Sequence, residues 1–176
     1  MFDGAFAVMS YSTGLDVSNR TLEIVTRLLR ERRQQINCRW RRLTPREQAL
    51  ITLAHLRKAE SLRDLATGAG VSATTVWRYV RETIALLALR APTLTEVLAR
   101  YTRHRRAPVL LDGTLISVPE IKDARHYYSG KHKRYGVNVQ VLADLRGVLL
   151  WVSAALPGST NDITAARTHD ILTTIE

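Results

Sequence analysis

The chain has 176 residues, 45% of them hydrophobic, with 26 Lys and Arg against 16 Asp and Glu and a formal net charge of +10. That hydrophobic share excludes a disordered tail, the single cysteine Cys38 excludes an intramolecular disulfide or a cysteine-based zinc site, and no apolar run approaches the ~20 residues of a membrane span. The charge favours a polyanionic partner, since Arg and Lys gain free energy by releasing counterions from phosphates; it is confined to residues 1–106, with 19 basic against 9 acidic residues, whereas residues 107–176 hold 7 of each.

The opening MFDGAFAVMS has no basic segment ahead of a long apolar stretch, so a cytoplasmic protein is expected. Residues 18–36 have the spacing of an amphipathic helix: Leu22, Val25, Leu29 and Ile36 share one face, Leu28 widens the stripe, and Arg20, Arg27 and Glu31 lie elsewhere. That face requires a partner. The patch Arg39, Trp40, Arg41, Arg42 follows, and reads either as a clamp on phosphates or as a solvated turn pinned by one tryptophan.

Three helix starts come next. Thr44-Pro45-Arg46-Glu47 combines a Thr N-cap, Pro at the first helical position and Glu spaced to close a capping box, ahead of Leu50, Leu53 and Ala54. Ser61 and Asp64 repeat the pattern ahead of Leu65 and Ala66, and Ser72 caps a third helix carrying Val76, Val80, Ile84 and Leu87. Helix, tight turn and helix across 62–82 match the helix-turn-helix arrangement, with Ala66 allowing close packing and Gly70 the sharp turn. Leu65, Ala69, Val71, Val76 and Tyr79 form the expected buried side, and Ala73, Thr74, Trp77, Arg78 and Arg81 the outer face. Ser72, Thr74, Thr75, Arg78 and Arg81 are the candidate contacts to a major groove, joined by Arg39, Arg41 and Arg42 of the preceding patch. A three-helix bundle that touches no DNA has the same pattern; the local charge excess favours DNA. Trp77 has a second reading, packed against the first helix.

Ala91-Pro92 ends the helical run, and residues 93–106 read as a short helix and basic linker. From 107 the period changes. Val109-Leu110-Leu111 is a short apolar run, Tyr135 to Ala143 alternates as a strand does, and Val148 to Ala155 is a further apolar strand after a turn over Asp144 to Gly147. The expected organisation is α+β: a helix and basic arm over 1–43, an all-α helix-turn-helix domain over 44–90, a linker over 91–106 and a strand-rich domain over 107–176.

Asp112 follows the apolar run and precedes Gly113-Thr114, which places a carboxylate at the end of a buried strand. Asp162 comes 50 residues later, after Pro157-Gly158-Ser159-Thr160-Asn161, a turn able to return it towards Asp112. Two hard oxygen ligands suit Mg²⁺ or Mn²⁺. Taken alone, each also reads as a turn or cap residue, Asp162 as the N-cap of a helix with Ile163, Ala165 and Ala166.

The runs LLDGTLISV, YYSGKHKRYGVNVQVLAD and GVLLWVSAALPGSTNDITAAR resemble the opening half of the DDE endonuclease domain of transposases from bacterial insertion sequences and Harbinger-like elements, and RWRRLTPREQALITLAHLRKAESLRDLATGAGVSATTVWRYV resembles the helix-turn-helix segment that accompanies it. The resemblance implies a ribonuclease H-like α/β fold for 107–176, with sheet order 3-2-1-4-5 and the Asp112 strand central. It implies Asp112 and Asp162 as the first and second catalytic, metal-binding carboxylates. It also implies that Lys131, Lys133 and Arg134, in the loop from Gly130, lie close enough to hold substrate phosphates, although an ordinary basic hairpin loop has the same composition. Where the family commonly has His before the second Asp, this chain has Asn161. A third acid, usually Glu, is expected a few tens of residues beyond Asp162, and the sequence runs only 14 residues further.

In the complete enzyme three carboxylates hold two metal ions for in-line attack on phosphodiesters. The expected partner is double-stranded DNA at terminal inverted repeats, with a homo-oligomer and a downstream chain or frameshift extension as further expectations. Three products fit: a transposase completed from elsewhere, a DNA-binding regulator that does not cut, or the inactive remnant of an element.

Overall fold

The computed structural model describes residues 15–38, 40–104, 108–119 and 124–175. The chain divides into two compact units between Ala91 and Pro92.

The first unit holds four helices: α1 (Asn19–Gln35), α2 (Pro45–Lys58), α3 (Leu62–Ala69) and α4 (Ala73–Ala88). Each begins where a hydroxyl satisfies an otherwise orphaned backbone donor: Ser18, Thr44, Ser61 and Ser72 accept from the N–H of Thr21, Glu47, Asp64 and Thr75. The Glu47 carboxylate returns to the Thr44 N–H at 2.7 Å and closes the capping box. α3 ends at Gly70, whose φ of 62° is the left-handed conformation the sharp turn requires, and Val71 N–H closes that turn on Ala66 O at 3.1 Å.

Two apolar clusters hold these helices. Ile51, Leu65, Val76, Tyr79 and Val80 pack α2, α3 and α4 together, with Ala69 and Val71 partly buried against them. Leu22, Val25 and Leu29 of α1 pack on Ala49 and Leu53 of α2. Two expected stripe residues fall outside. Ile36 is the C-cap of α1 and is exposed, and Ile84 is exposed while Thr83 is buried one position before it. Thr83 tolerates burial because its hydroxyl donates to Tyr79 O at 2.8 Å and accepts from Gln48 Nε2 at 3.2 Å.

The second unit comprises α5 (Leu94–His104), β1 (Val109–Ser117), a 3₁₀ turn (Arg125–Tyr127), β2 (Tyr128–Ser129), β3 (Arg134–Asp144), β4 (Leu149–Val152), β5 (Leu156–Pro157), α6 (Asp162–Thr168) and α7 (Ile171–Ile175). β3 is the hub. Along one edge it pairs antiparallel with the whole of β1, from Val109 opposite Asp144 to Ser117 opposite Gly136, and along the other it pairs with β4 and β5. Leu94 of α5, Leu142 of β3, Ala166 of α6 and Ile171 of α7 form the core on one sheet face, with Val109 and Leu111 partly buried beside them.

Two expectations are corrected. β1 does not end at the apolar run: β3 offers it a ladder of nine partners, so Asp112 lies in mid-strand. The strand expected over Val148 to Ala155 is shortened to β4, which ends where Gln140 N–H donates to the Ser153 hydroxyl at 2.9 Å in place of a ladder carbonyl; β5 lies beyond that span.

Leu65 is 1% exposed and Leu89 is 83% exposed. Leu65→Ala is expected to cost the helical unit about 2–5 kcal/mol, against no more than about 0.5 kcal/mol for Leu89→Ala, measured by chemical denaturation followed through helical circular dichroism.

Candidate nucleic-acid interface and candidate active site

In the first unit, packing sorts α4 into two faces. Val76, Tyr79, Val80 and Thr83 are buried, which leaves Ala73, Thr74, Trp77, Arg78 and Arg81 exposed. Trp77 is half-exposed on the outer face with the Arg81 guanidinium 4.8 Å from its ring centroid, a cation–π contact that holds both side chains along the helix. Ser72 and Thr75 are engaged at the helix start, their hydroxyls 2.9 Å apart. Arg78 is exposed on this row, and an α-helix that presents such polar and cationic residues is an element a major groove admits.

The segment before α2 alternates. Leu43 is buried in the core and Arg41 turns inward, whereas Trp40 and Arg42 are exposed. Arg41 makes a bidentate pair with Glu82, at 2.8 and 3.0 Å, donates Nε–H to Cys38 Sγ at 3.3 Å and lies 5.5 Å from the Tyr79 ring centroid. Burial opposes charge on Glu82, but hydrogen bonds from Arg41 and Gln48 outweigh it and hold the carboxyl below the usual range. Arg41 is therefore committed to the protein. Arg39 lies outside the described residues.

In the second unit, strand register decides where the carboxylates lie. Paired residues share a sheet face and successive residues alternate. Gly113 is opposite Gln140 and Leu115 opposite Asn138, on the face covered by the helices; Asp112 is opposite Val141, on the other face. Asp162, the first residue of α6 and capped by Asn161, rests directly over Gly113: a Cβ there would collide with its carboxylate and with Gln140 Nε2. Asp162 Oδ1 accepts from Asn138 Nδ2 at 2.9 Å, and Oδ2 from Lys131 Nζ at 3.2 Å. Asn138 is held in turn by Gln140 Nε2, 2.9 Å from its Oδ1. The Asn138 amide first, then Lys131, keep the Asp162 carboxyl below its ordinary range.

Lys131, His132, Asn138, Asp162 and Arg167 line a cavity of about 710 Å³, of which Gly113 and Gly158 form part of the wall. The structure thus brings Lys131 to Asp162. Lys133 follows on the same loop and Arg134 opens β3, both exposed. Asp112 is not among the residues lining the cavity; its side chain is exposed and accepts the Gly113 N–H at 2.9 Å. Asn138 and Gln140 were not anticipated. Their sequence signal is two amides alternating with valines in VNVQV, which ordinarily marks a solvent face, whereas both are buried here.

Residues 41–93 match the family model described as the helix-turn-helix of DDE superfamily endonuclease, and residues 111–176 match the model described as DDE superfamily endonuclease. The two matches show a DDE superfamily endonuclease domain and the helix-turn-helix that goes with it. No curated protein and no solved structure matched it. The two domains support a transposase-like function of DNA binding and cleavage, and no described helix is long and apolar enough to cross a membrane.

DDE endonucleases are generally dependent on a divalent metal, which needs several hard oxygens converging on one point. Among the described residues no three His, Cys, Asp or Glu side chains converge. Asp112 and Asp162 lie on opposite faces of β1, and both Asp162 oxygens are engaged. The described residues therefore do not assemble a set of three such ligands for a metal centre.

A carboxylate with a depressed folded-state pKa stabilises the fold above its unfolded pKa, and that contribution is lost as pH falls through the folded value. The stability difference between the parent chain and Asp162→Asn is therefore expected to shrink as pH falls from about 6 to about 3. Gly113→Ala, which displaces the carboxylate, should remove the same pH-dependent part. Urea denaturation across that range checks both, and a difference independent of pH would show that Asn138 and Lys131 do not hold the charge.

Proposed function

We propose that this chain is a transposase of a bacterial insertion sequence that binds the terminal inverted repeats of its element through α4 and belongs to a machinery for metal-dependent cleavage and strand transfer. The observation that carries the reading is the division of labour on α4. Core packing and capping consume the inner row, and the exposed row retains Thr74, Trp77, Arg78 and Arg81 with the geometry of a groove-reading helix. The basic excess of residues 1–106 supports the same reading.

For the second unit we propose a ribonuclease H-like sheet. The antiparallel order β4-β3-β1, with the DGT aspartate on β1, supports it as positions 3-2-1 of the 3-2-1-4-5 arrangement. Asp112 is the carboxylate we assign to the metal, because its side chain is exposed and, among the described residues, bonds only its own neighbour's N–H. Lys131 beside the cavity is the group we assign to a substrate phosphate, with Asp162 and Asn138 fixing its position. Lys133 and Arg134 extend the basic run.

Gel-shift titration is expected to show tighter binding to the terminal repeats than to random duplex, with affinity falling steeply as salt rises. Arg78→Ala should weaken repeat binding more than random binding; equal affinity of the parent chain for both duplexes would overturn the reading. A separate expectation concerns the ion. Calorimetric titration with Mn²⁺ should detect weak binding that Asp112→Asn abolishes and Asp162→Asn retains, and equal losses in the two variants would show that they share one ion.

A further inference from the structure

We propose that the segment from Trp40 to Arg42 is a second DNA-contacting element, held rigidly beside α4 by the Arg41–Glu82 pair, in which the Trp40 ring packs on the sugar-phosphate strand flanking the groove that α4 enters. The proposal rests on the reading of α4 as a DNA-binding helix and adds to it a surface and a residue, Trp40.

Three observations carry it. Trp40 is 93% exposed, against 45% for Trp77, an unusual state for so large an aromatic side chain. The segment is not a loose arm: Leu43 is in the core, and the Arg41 guanidinium is anchored at both ends of the Glu82 carboxylate with only 20% and 21% of the two side chains exposed. With 41 and 43 turned inward, the alternation forces 40 and 42 outward. Finally, Trp40 and Arg42 share one open concavity of about 530 Å³ with Thr75, Arg78 and Tyr79 of α4, and the paired Arg41 and Glu82 form the rest of its wall, so the outward residues of the segment and Arg78 of the outer row face the same space.

Charge and chemistry select the occupant. Glu82 is the only acid of α4 and is neutralised by Arg41, which leaves Arg42 and Arg78 to present positive charge around a flat aromatic ring. A strand of duplex DNA supplies the complement, with phosphates for the guanidiniums and an apolar deoxyribose face for the indole. Arg41 then acts as a positioning residue: it carries the segment without touching DNA.

The sequence contains three tryptophans, Trp40, Trp77 and Trp151. Labelling the full chain with 5-fluorotryptophan gives one ¹⁹F resonance for each, assigned through the Trp→Phe variants. On addition of terminal-repeat duplex, the Trp40 and Trp77 resonances are expected to move. Movement of Trp77 without Trp40 would overturn the proposal while leaving the α4 reading intact, and movement of neither would overturn both.

Affinity provides the second readout. Trp40→Ala should weaken binding about tenfold with the slope of log affinity against log salt unchanged, since no ionic contact is lost, and Trp40→Phe should stay within about threefold of the parent. Arg42→Ala should lower the slope by about one. Glu82→Gln tests the positioning through its sign. Removing an acid near DNA raises affinity on electrostatics alone, but releasing Arg41 frees the segment and is expected to lower it about fivefold. Higher affinity for Glu82→Gln, or parental affinity for Trp40→Ala, would overturn the proposal.

Discussion

Buried side-chain amides set the geometry of both units. Gln48 is 0% exposed, and its position is fixed because its amide nitrogen reaches Tyr79 O, Glu82 and Thr83 on α4 while its oxygen accepts from Arg33 of α1. A buried amide left without partners costs about 1–3 kcal/mol, comparable to a fair fraction of a domain's whole stability. α1, α2 and α4 are therefore held in the one arrangement that satisfies it. Asn138 and Gln140 impose the same condition on the sheet, where only the observed register and the observed seat of α6 give both amides their partners. Apolar packing alone would tolerate more slippage than these directional bonds permit.

The same networks decide which charges the surface presents. Arg41 neutralises Glu82 and Gln48 hydrogen-bonds it, so the outer row of α4 faces outward as a cationic surface with its one acid paired. In the second unit the Asn138 bond draws Asp162 over Gly113 and, through it, Lys131 to the wall of the cavity. A residue with a Cβ at 113 would exclude that arrangement, which gives the glycine after Asp112 a steric role independent of any turn.

Much of the helical unit is legible in the residues. Hydroxyl caps at Ser18, Thr44, Ser61 and Ser72 act within three residues of themselves, and the apolar spacing of Leu22, Val25, Leu29, Leu65 and Val76 follows the helical period. Both signals are local, so no knowledge of distant neighbours is needed to read them. The strand-rich unit is legible in outline only. That Tyr135 to Ala143 is a strand follows from alternation, but the extension of β1 to Ser117 depends on how long a partner β3 offers, and the break after β4 depends on a serine hydroxyl displacing a carbonyl across the sheet.

The sequence by itself determined where the four helices of the first unit begin, the helix-turn-helix and the placement of the basic excess in the first 106 residues. Tertiary structure alone decided what those groups face. Arg41 and Arg42 are adjacent and chemically identical, yet one is sunk against Glu82 and the other stands free of the core, because Glu82 comes from a helix 41 residues away. Asp112 and Asp162 read as a pair, yet a strand turns successive side chains to opposite faces, and the turn before α6 delivers Asp162 to the face of Gly113 and not to that of Asp112. Composition and spacing encode which chemistry is available; the direction in which it points is a property of register and packing between segments distant in the chain.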